Sequence, residues 1–506
     1  MAEPQILIPF IIFFTTLFFN SSSSSRIPPL TKTSTLDVLA SIQLTLDSIQ
    51  RDQTVQQFQA QNNVDNGEGD KPISSLSLPL FPRSAMPKSE IHQDYSSLIL
   101  SRLERDSARV NSLTRRLDLS LKSISVSDLR PLALETTEPS SLEGPVVSGT
   151  SQGSGEYFTR LGVGTPASQM SLVLDTGSDV SWMQCETCSD CYQQSDPIFV
   201  PTSSSSYSPI TCDSPRCKAL DVSQCSRSGR CLYEVSYGDG SYTVGDFVTE
   251  TLSFNSDAAG VGNGDNAAVV PSAGIALGCG HNNEGLFVGA AGLLGLGGGV
   301  LSFPSQINAT SFSYCLVDRD SDARSTLDFG VPLPRDAVTA PLLRSRQMDT
   351  FLYLGMSGIS VGGQMLSVPA SSFRVDEAGN GGVIVDSGTA VSRLQTAVYD
   401  ALRDAFVGGT QHLPPANGVA LFDTCYDLAS MRSVEVPTVA FHFPGGKRLP
   451  LPAKNYVIPV DSKGTFCLAF APTTSSLSII GNVQQQGTRV GFDLVNNLVG
   501  FSPNKC

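Results

Sequence analysis

Two acidic tetrapeptides dominate the sequence because each can supply half of an acid–base site. Asp-Thr-Gly-Ser occupies 175–178 and Asp-Ser-Gly-Thr occupies 386–389, so the two aspartates are 211 residues apart (386 − 175). Each follows an apolar run, Ser-Leu-Val-Leu or Gly-Val-Ile-Val. Two carboxylates at close range share a proton in acid, so Asp175 and Asp386 are candidates for a general base and a general acid acting on water. This chemistry requires no metal, cofactor or covalent intermediate.

The residues that complete the two loops are suited to holding such a pair. They are Thr176, Gly177, Ser178, Ser387, Gly388 and Thr389. The second residue of each loop can hydrogen-bond across to the opposite loop, and the fourth can bond the carboxylate of its own loop. The glycines tolerate a tight turn that brings the loops together. The apolar runs before the loops are expected to be buried strands that keep each loop rigid.

The elements that would position these loops are mostly strands. From about residue 150, short runs of Val, Ile, Leu, Phe and Tyr alternate with clusters of Gly, Pro, Asn, Asp and Ser. This pattern predicts many short strands joined by tight turns. The repeated motif divides the body into an amino-terminal lobe at 150–335 and a carboxy-terminal lobe at 340–506. The strongest helix signal in the body is at 396–406.

The amino terminus has the pattern of a secretory signal. Residues 6–19 are almost continuously apolar, and a serine run follows at 21–25. The apolar run is short for a membrane span, so we expect 1–25 to be a signal peptide. The chain would enter the secretory pathway and end in the extracellular space or apoplast, the vacuole or the endoplasmic reticulum. Glu3 is atypical of a signal peptide, and chloroplast targeting is the weaker alternative. No membrane anchor is expected.

The segment at 26–130 separates the signal from the body. Its part at 26–95 is rich in Ser, Gln, Asn and Pro, which predicts flexible or weakly folded chain. Further on, apolar residues recur at helical spacing: Ile99, Leu103, Val110, Leu113 and Leu117. Five arginines surround them: Arg102, Arg105, Arg109, Arg115 and Arg116. This pattern suits either a solvated amphipathic helix or, as we favour, a prosegment helix near 99–117 that docks on the body.

The distribution of charge supports docking. Residues 1–130 contain 13 basic and 13 acidic residues, whereas 131–506 contain 20 and 34, so the net charge of −14 lies entirely in the body. An acidic body argues against nucleic acid or anionic membrane as a partner. It suits a protein that works at low pH. We therefore expect a basic helix to mask the acidic cleft and acid to release it by protonating carboxylates.

All twelve cysteines lie between Cys185 and Cys506. An even number in a secreted chain predicts up to six disulfides. Cys185, Cys188 and Cys191 could instead bind a metal. Structural zinc needs a closed tetrahedral ligand set, however, and no histidine lies near this cluster. Disulfides are therefore favoured, and no metal site is expected.

Further motifs follow the same order along the chain. Trp182, the only tryptophan, stands seven residues after Asp175, and Tyr-Gly-Asp-Gly-Ser occupies 237–241. Two segments of apolar residues with glycine occur at 292–295 and 479–481. With these motifs the sequence resembles the pepsin family of aspartic endopeptidases. The resemblance covers about 156–503.

This resemblance implies an all-β, bilobal pepsin-like fold with a central cleft, preceded by a signal peptide and a prosegment. It implies that Asp175 and Asp386 are catalytic, and that Tyr237 and Gly238 belong to a flap that closes over a polypeptide substrate, near Trp182. The protein would be a zymogen whose own prosegment is an intramolecular inhibitor. It would be a monomer without a cofactor.

Within the family, the sequence is similar to the plant nepenthesin-like, atypical group. The cysteine-rich insert at 185–231 carries this resemblance, and the segment at 149–157 resembles the subgroup named aspartic protease in guard cells. Analogy with the group implies six disulfide pairs: Cys185–Cys188, Cys191–Cys279, Cys212–Cys231, Cys217–Cys225, Cys315–Cys506 and Cys425–Cys467.

Two other classes of protein match parts of the sequence less well than an aspartic endopeptidase. A catalytically silent inhibitor or binding protein has the same fold, but such proteins typically lose a residue of the catalytic motifs, and both motifs are intact here. The segment at 149–153 formally fits a serine-hydrolase elbow, yet no apolar strand precedes it and no helix follows. Asn308 begins an Asn-Ala-Thr acceptor for N-glycosylation.

Overall fold

Strands account for most of the regular secondary structure among the described residues, as the sequence predicted. The computed structural model describes residues 32–53, 76–83, 94–122, 157–236, 241–254, 268–269, 274–284, 289–318, 320, 325–345 and 347–506. The expected signal peptide and the flap residues Tyr237 and Gly238 lie outside these ranges. Among the described helices, none has the length and apolar character needed to cross a bilayer.

Four elements precede the body. They are β1 (Thr33–Asp37), α1 (Val38–Gln53), β2 (Leu76–Pro82) and α2 (Tyr95–Leu121). The helix expected near 99–117 is therefore confirmed and is longer than predicted. The prediction of weakly folded chain at 26–95 is wrong for its described parts. Leu36 and Leu80 are buried there, because the strands that carry them pair with strands of the body.

The amino-terminal lobe follows. Its elements are β3 (Tyr157–Val163), β4 (Ser168–Asp175), β5 (Trp182–Gln184), β6 (Ser208–Pro209), α3 (Pro215–Lys218), β7 (Ser223–Cys225), β8 (Cys231–Ser236), β9 (Tyr242–Glu250), β10 (Leu252–Phe254), β11 (Ala268–Val269), β12 (Ile275–Glu284), β13 (Gly292–Gly295), α4 (Phe303–Gln306), β14 (Ser311–Cys315) and β15 (Ser325–Phe329). The strands β8 and β9 form an antiparallel hairpin in which Ser236 pairs with Tyr242, on either side of the expected flap.

The carboxy-terminal lobe contains the helix for which the sequence of the body gave the strongest signal, at 396–406. The elements of this lobe are β16 (Val338–Leu343), β17 (Tyr353–Leu354), β18 (Gly358–Val361), β19 (Gln364–Met365), β20 (Val383–Val385), β21 (Ser392–Gln395), α5 (Thr396–Gly409), β22 (Pro415–Ala416), β23 (Cys425–Asp427), β24 (Ser433–Pro437), β25 (Val439–Phe443), β26 (Lys447–Pro450), β27 (Val457–Pro459), β28 (Thr465–Leu468), β29 (Phe470–Thr473), β30 (Ser478–Ile480), α6 (Asn482–Gln485), β31 (Thr488–Asp493) and β32 (Leu498–Pro503).

One sheet joins the two lobes, and a strand from the leading segment lies inside it. Its strands are hydrogen-bonded in the order β3, β2, β15, β14, β31, β32 and β16. In β2, Leu80 pairs with Thr159 on one side and Ser325 on the other. Alternate residues of β2, Leu78 and Leu80, are fully buried, which is the two-residue period of a half-buried strand.

Each acidic loop leaves the end of a buried strand. The strand β4 ends at Asp175 and pairs in parallel with β13, so that Gly295 lies beside Asp175. In the other lobe, β20 ends one residue before Asp386 and pairs in parallel with β30. The two apolar segments with glycine predicted at 292–295 and 479–481 therefore flank the strands that lead into the loops. This packing gives each loop a rigid base.

The cysteines form six disulfides, as their number predicted, but four of the expected pairs are wrong. Cys315–Cys506 and Cys425–Cys467 are confirmed. The remaining pairs are Cys185–Cys279, Cys188–Cys191, Cys212–Cys225 and Cys217–Cys231. Cys185 lies next to β5, which pairs in parallel with β12, and this pairing brings it to Cys279. The expected set interchanged Cys185 with Cys191 and Cys212 with Cys217, because sequence spacing alone does not fix disulfide connectivity.

Candidate active site

The two acidic loops meet between the lobes, and each carboxylate has the same set of local donors. Asp175 Oδ1 accepts from the N–H of Gly177 at 2.9 Å, and its Oδ2 accepts from Ser178 Oγ at 2.6 Å. Asp386 has the matching bonds with Gly388 and Thr389, at 3.2 and 2.6 Å. These positions are buried. The repeat in sequence is thus a repeat in geometry.

The loops are also tied to each other. The N–H of Ser387 donates to Thr176 Oγ1 at 2.9 Å, and the N–H of Thr176 donates to Ser387 Oγ at 3.3 Å. The Thr176 hydroxyl also donates to the carbonyl of Val385, and the Ser387 hydroxyl to that of Leu174, both at 3.3 Å. The bonds across the loops predicted from the sequence are therefore present. They fix the lobes' two carboxylates relative to each other.

The glycines are needed for a reason other than the one predicted. Neither glycine has a positive φ. Instead, a Cβ at Gly177 would lie 3.1 Å from Asp386 Oδ1, and one at Gly388 would lie 3.0 Å from Asp175 Oδ1. A side chain at either position would therefore crowd the carboxylate of the opposite loop. Close approach of the loops, rather than a special backbone turn, requires glycine.

A polar layer beneath Asp386 was missed by the sequence analysis. The side-chain N–H of Gln485 donates to the carbonyl of Asp386 at 3.1 Å, and the Tyr314 hydroxyl donates to Gln485 Oε1 at 2.7 Å. Asn482 donates to the carbonyl of Ser387 at 3.0 Å. Burial, with the negative charge of Asp386 adding to it, raises the pKa of Tyr314 well above its usual value. The available signal in the sequence was the cluster of amide residues Asn482, Gln484, Gln485 and Gln486.

Trp182, the other residue singled out near the loops, is in β5 and 1% exposed. Its ring packs edge-on against Tyr192, with 6.5 Å between centroids. Trp182 thus belongs to the packing behind the Asp175 loop. The flap residues Tyr237 and Gly238, which the sequence placed near Trp182, lie outside the described ranges.

The helix α2 enters the cleft and places Arg109 on both carboxylates. Arg109 Nη1 donates to Asp175 Oδ2 at 2.9 Å, and Nη2 also contacts Asp175 Oδ1. The same Nη2 is 3.2 Å from Asp386 Oδ1. Arg109 is 7% exposed. One guanidinium therefore occupies the position between the two carboxylates, where a water and a scissile bond would have to lie.

The electrostatics of this contact favour a permanent cation. Burial acts to lower the pKa of Arg109, but the attraction of Asp175 and Asp386 outweighs burial and raises it above its ordinary value. Arg109 therefore remains charged at any physiological pH. A fall in pH therefore cannot remove the positive charge from the cleft.

The rest of α2 packs mainly on the carboxy-terminal lobe. Tyr95, Leu98, Ile99 and Leu103 join a buried cluster with residues such as Phe422. The later residues Val110, Leu113 and Leu117 join a second cluster with Phe351 and Ile384. The whole apolar face predicted from the sequence is buried.

Polar contacts hold the helix along its length. Arg102 pairs with Asp320 at 2.7 Å, and Arg116 pairs with Asp221 at 2.8 Å. Asp106 is completely buried and pairs with Arg393 at 2.7 Å. Three of the five predicted arginines, Arg102, Arg109 and Arg116, thus contact acidic residues of the body. Arg115, by contrast, is exposed.

The chain is similar in sequence to known plant proteins. Residues 157–331 match the family model described as "Xylanase inhibitor N-terminal", and 352–503 match "Xylanase inhibitor C-terminal". The chain is 49% identical to Aspartyl protease family protein 2 of Arabidopsis thaliana, covering 88% of each chain. The chain belongs to the plant aspartic protease family. This aspartic protease is also 45% identical to Protein ASPARTIC PROTEASE IN GUARD CELL 2 of the same plant, over 86% of its own length and 89% of the relative.

More distant relatives agree with the predicted group. The aspartic proteinase nepenthesin-1 of Nepenthes gracilis is 40% identical over 72% of this chain and 82% of its own. Among solved structures, edgp has a TM-score of 0.56 and basic 7S globulin from soybean 0.53, each at 20% identity. They cover 69% and 68% of this chain, and 91% and 92% of their own. These structures confirm the bilobal pepsin-like fold of this aspartic protease.

Proposed function

We propose that this protein is the inactive precursor of an aspartic endopeptidase, and that Arg109 blocks its catalytic pair until the segment before residue 157 is displaced. The contact of one buried guanidinium with both Asp175 and Asp386 carries this proposal. A substrate carbonyl and the attacking water need the same space. Substrate hydrolysis and the docked helix therefore exclude each other.

The free site is suited to hydrolysing a peptide bond. With Arg109 gone, two buried carboxylates held at close range cannot both ionise easily, so they share a proton in acid. The ionised aspartate takes a proton from water, which attacks the substrate carbonyl carbon, and the protonated one donates to the carbonyl oxygen. The proton then passes to the leaving amine, and the pair returns to its starting state. The donors on each loop keep the carboxylates in place during these transfers.

The precursor arrangement has support from the comparison with Aspartyl protease family protein 2. Coverage of 88% of 506 residues is about 445 residues, whereas 157–506 comprises 350. The similarity must therefore extend into the segment that contains β2 and α2. We infer that 26–130 is a prosegment and that it acts as an intramolecular inhibitor of a monomeric enzyme.

The cysteines support a location on the secretory route. Every described cysteine is in a disulfide, which requires an oxidising environment such as the secretory route. We infer a final location in the apoplast, vacuole or endoplasmic reticulum. Asn308 is exposed, as a glycosylated residue of such a protein must be.

The test is cleavage of acid-unfolded globin by the full chain between about pH 3 and 7, with and without pepstatin. We expect cleavage that appears in acid and is abolished by pepstatin and by Asp175→Asn or Asp386→Asn. Asp404→Asn, which changes an exposed carboxylate on α5, is the matched control and should retain full activity.

The same experiment separates the enzyme from a silent inhibitor or binding protein of this fold. Folded protein from which the leading segment has been removed, and which still cleaves nothing at any of these pH values, would refute the endopeptidase. Cleavage that survives in both Asn variants would refute the role of the two aspartates.

A further inference from the structure

One buried residue of the docked helix, Asp106, has the wrong sign for a basic mask. Asp106 lies three positions before Arg109, one helical turn away on the same face. It is completely buried against the carboxy-terminal lobe, beside Ala390 and Val391, which follow the Asp386 loop. A buried carboxylate is costly unless the surrounding groups were arranged to receive it.

The body supplies such groups. Asp106 Oδ1 accepts from the N–H groups of Ala390 and, at 3.4 Å, Val391. Asp106 Oδ2 lies 2.7 Å from Arg393 Nη2. The carboxylate therefore meets a guanidinium and two backbone donors, all from one short segment that begins four residues after Asp386.

Arg393 belongs to the body and would stay when the helix leaves. It is in β21 and is 4% exposed. Its Nη1 donates a hydrogen bond to the carbonyl of Val391 at 2.8 Å. In the described part of the chain, the carboxylate that pairs with Arg393 is that of Asp106. Displacing α2 would remove this carboxylate and leave the Arg393 guanidinium without that partner, and a cation in a cleft that excludes much of the solvent favours a new anion.

We propose that Arg393, with the N–H groups of Ala390 and Val391, is a substrate subsite that binds the side-chain carboxylate of Asp or Glu. Asp106 occupies this subsite in the precursor. The inference rests on the proposed function, because it assigns a substrate preference to the same cleft. The active enzyme then favours polypeptides that have an acidic residue close to the scissile bond.

The geometry limits where that residue lies. Three helical residues separate Asp106 from Arg109, which marks the catalytic pair, and they span about 4.5 Å along the helix axis. An extended chain covers this length in one to two residues. The acidic side chain is therefore expected within about two residues of the cleaved bond, allowing for its own reach.

The first experiment uses protein folded as the full chain and then processed in acid. Peptides that differ only in Asp against Asn, at each position within about three residues of the cleaved bond, are compared by kcat/KM. We expect Asp to be favoured about 10- to 100-fold at one position, as for a hydrogen-bonded charged group. Arg393→Met should abolish this preference, so that the Asp and Asn peptides are cleaved with equal kcat/KM.

Two further variants serve as controls. Arg393→Lys keeps the charge but not the planar fork, so it should retain part of the preference. Arg448→Met removes an exposed arginine on β26 and should leave the preference unchanged. Equal rates for Asp and Asn peptides at every position in the unmodified enzyme would overturn the proposal.

A binding experiment decides the subsite without relying on catalysis. A labelled peptide of residues 94–122 is bound to the processed protein, and its Asp106→Asn form is compared by fluorescence anisotropy. We expect the Asn form to bind about 10- to 100-fold more weakly to the unmodified protein and equally well to Arg393→Met. An equal loss on both proteins, or no loss on the unmodified one, would overturn the subsite.

The two experiments also separate this inference from the proposed function. A processed protein that cleaves no peptide, yet shows the Arg393-dependent binding difference, refutes the endopeptidase and retains the carboxylate site. If Arg393→Met does not fold, the comparison of Asp with Asn on the unmodified protein still tests the proposed subsite, both by cleavage and by binding.

Discussion

At the scale of single residues, the inhibited state depends on one cation held by two anions. Arg109 is the arginine of α2 that faces the catalytic loops, and its guanidinium bridges Asp175 and Asp386. The bridge also cancels the repulsion between two buried carboxylates. Because Arg109 does not lose its charge, opening the site must begin with the carboxylates or with the helix that carries the arginine.

The residue-scale prediction concerns Arg109→Met. Met fills a similar volume but removes the charge, so the unprocessed precursor should cleave a fluorogenic peptide at least about tenfold faster in mild acid. Arg109→Lys keeps the charge but not the planar guanidinium, so the activity of its precursor should lie between those of the unmodified chain and Arg109→Met. Activity is measured before any cleavage of the chain, and gel electrophoresis verifies that the chain is intact.

Arg115→Met is the control for that experiment, because Arg115 is an exposed arginine on the same helix. It should leave the precursor as inactive as the unmodified chain. If the Arg109→Met precursor is as inactive as the unmodified chain, the apolar face of α2 alone blocks the cleft, and the contact of Arg109 with the two aspartates is not what inhibits the enzyme.

At the scale of elements, the amino-terminal end of α2 is sensitive to acid. Asp94 caps the helix, accepting from the N–H of Ser97 at 2.8 Å. This backbone bond, with help from the Ser97 hydroxyl, lowers the pKa of Asp94. A lowered pKa means that the charged cap stabilises the helix above the ordinary aspartate pKa. That stabilisation is lost as the pH falls through the lowered value.

Asp94→Asn should therefore change the pH dependence of activation. Asn caps a helix as well as Asp does but does not titrate. At neutral pH the two precursors should be equally stable. In strong acid, below the ordinary aspartate pKa, the Asn variant should activate about two- to fivefold more slowly, because its cap persists. The measurement is the rate at which peptidase activity appears at a series of pH values.

Asp118→Asn removes an exposed carboxylate from the last turn of the same helix and serves as the control. Its activation profile should keep the acid dependence of the unmodified precursor. Identical acid profiles for Asp94→Asn and the unmodified chain would show that the cap has no part in release. Asp106 is not expected to drive release, because burial raises its pKa, which by itself favours the docked state as the pH falls.

The strand β2 makes the leading segment part of the core. Leu80 is fully buried in the sheet that joins the lobes, so Leu80→Ala should lower the free energy of unfolding of the precursor by about 2–5 kcal/mol. Leu39→Ala, at a residue that is 47% exposed, should change it by less than about 0.5 kcal/mol. Urea unfolding followed by tryptophan fluorescence measures both. Equal, small effects would mean that β2 contributes little to the fold.

At the scale of the whole molecule, acid acts on the docked segment at more than one place. The strand β1 pairs with β24, and the side chains of Thr35 and Thr33 hydrogen-bond Glu435 and lower its pKa. The sign is the same as at Asp94: this stabilisation is present above the ordinary glutamate pKa and is lost in stronger acid. Contacts at two places in the leading segment, the strand β1 and the start of α2, therefore weaken as the pH falls through the lowered pKa values of Glu435 and Asp94.

The disulfides give a whole-molecule prediction. Cys315–Cys506 closes a loop with a sequence separation of 191, whereas Cys188–Cys191 closes one of 3. Replacing the first pair by serine should lower the free energy of unfolding by about 2–5 kcal/mol, because a long loop restrains the unfolded chain most. The same replacement at the second pair should cost much less. Chemical denaturation under non-reducing conditions compares them, and equal losses would contradict the loop-length argument.

The local chemistry of this protein was determined by its sequence. The paired aspartates, the hydroxyls around them, the strand-rich body, a helix near 99–117 and the number of disulfides were all predicted. Each of these depends on residue type and short-range spacing. Periodicity and hydrogen-bonding capacity are properties of neighbouring residues, and a sequence displays them directly.

Only the tertiary structure decided which distant residues meet. It selected Arg109 from five arginines, placed Arg393 against Asp106, paired Cys185 with Cys279 and inserted β2 between β3 and β15. It also showed that the loops require glycine because a side chain would crowd the carboxylate of the opposite loop, and not because of a special backbone turn. These choices depend on packing between segments far apart in the chain, where many pairings are chemically equivalent and only the fold distinguishes them.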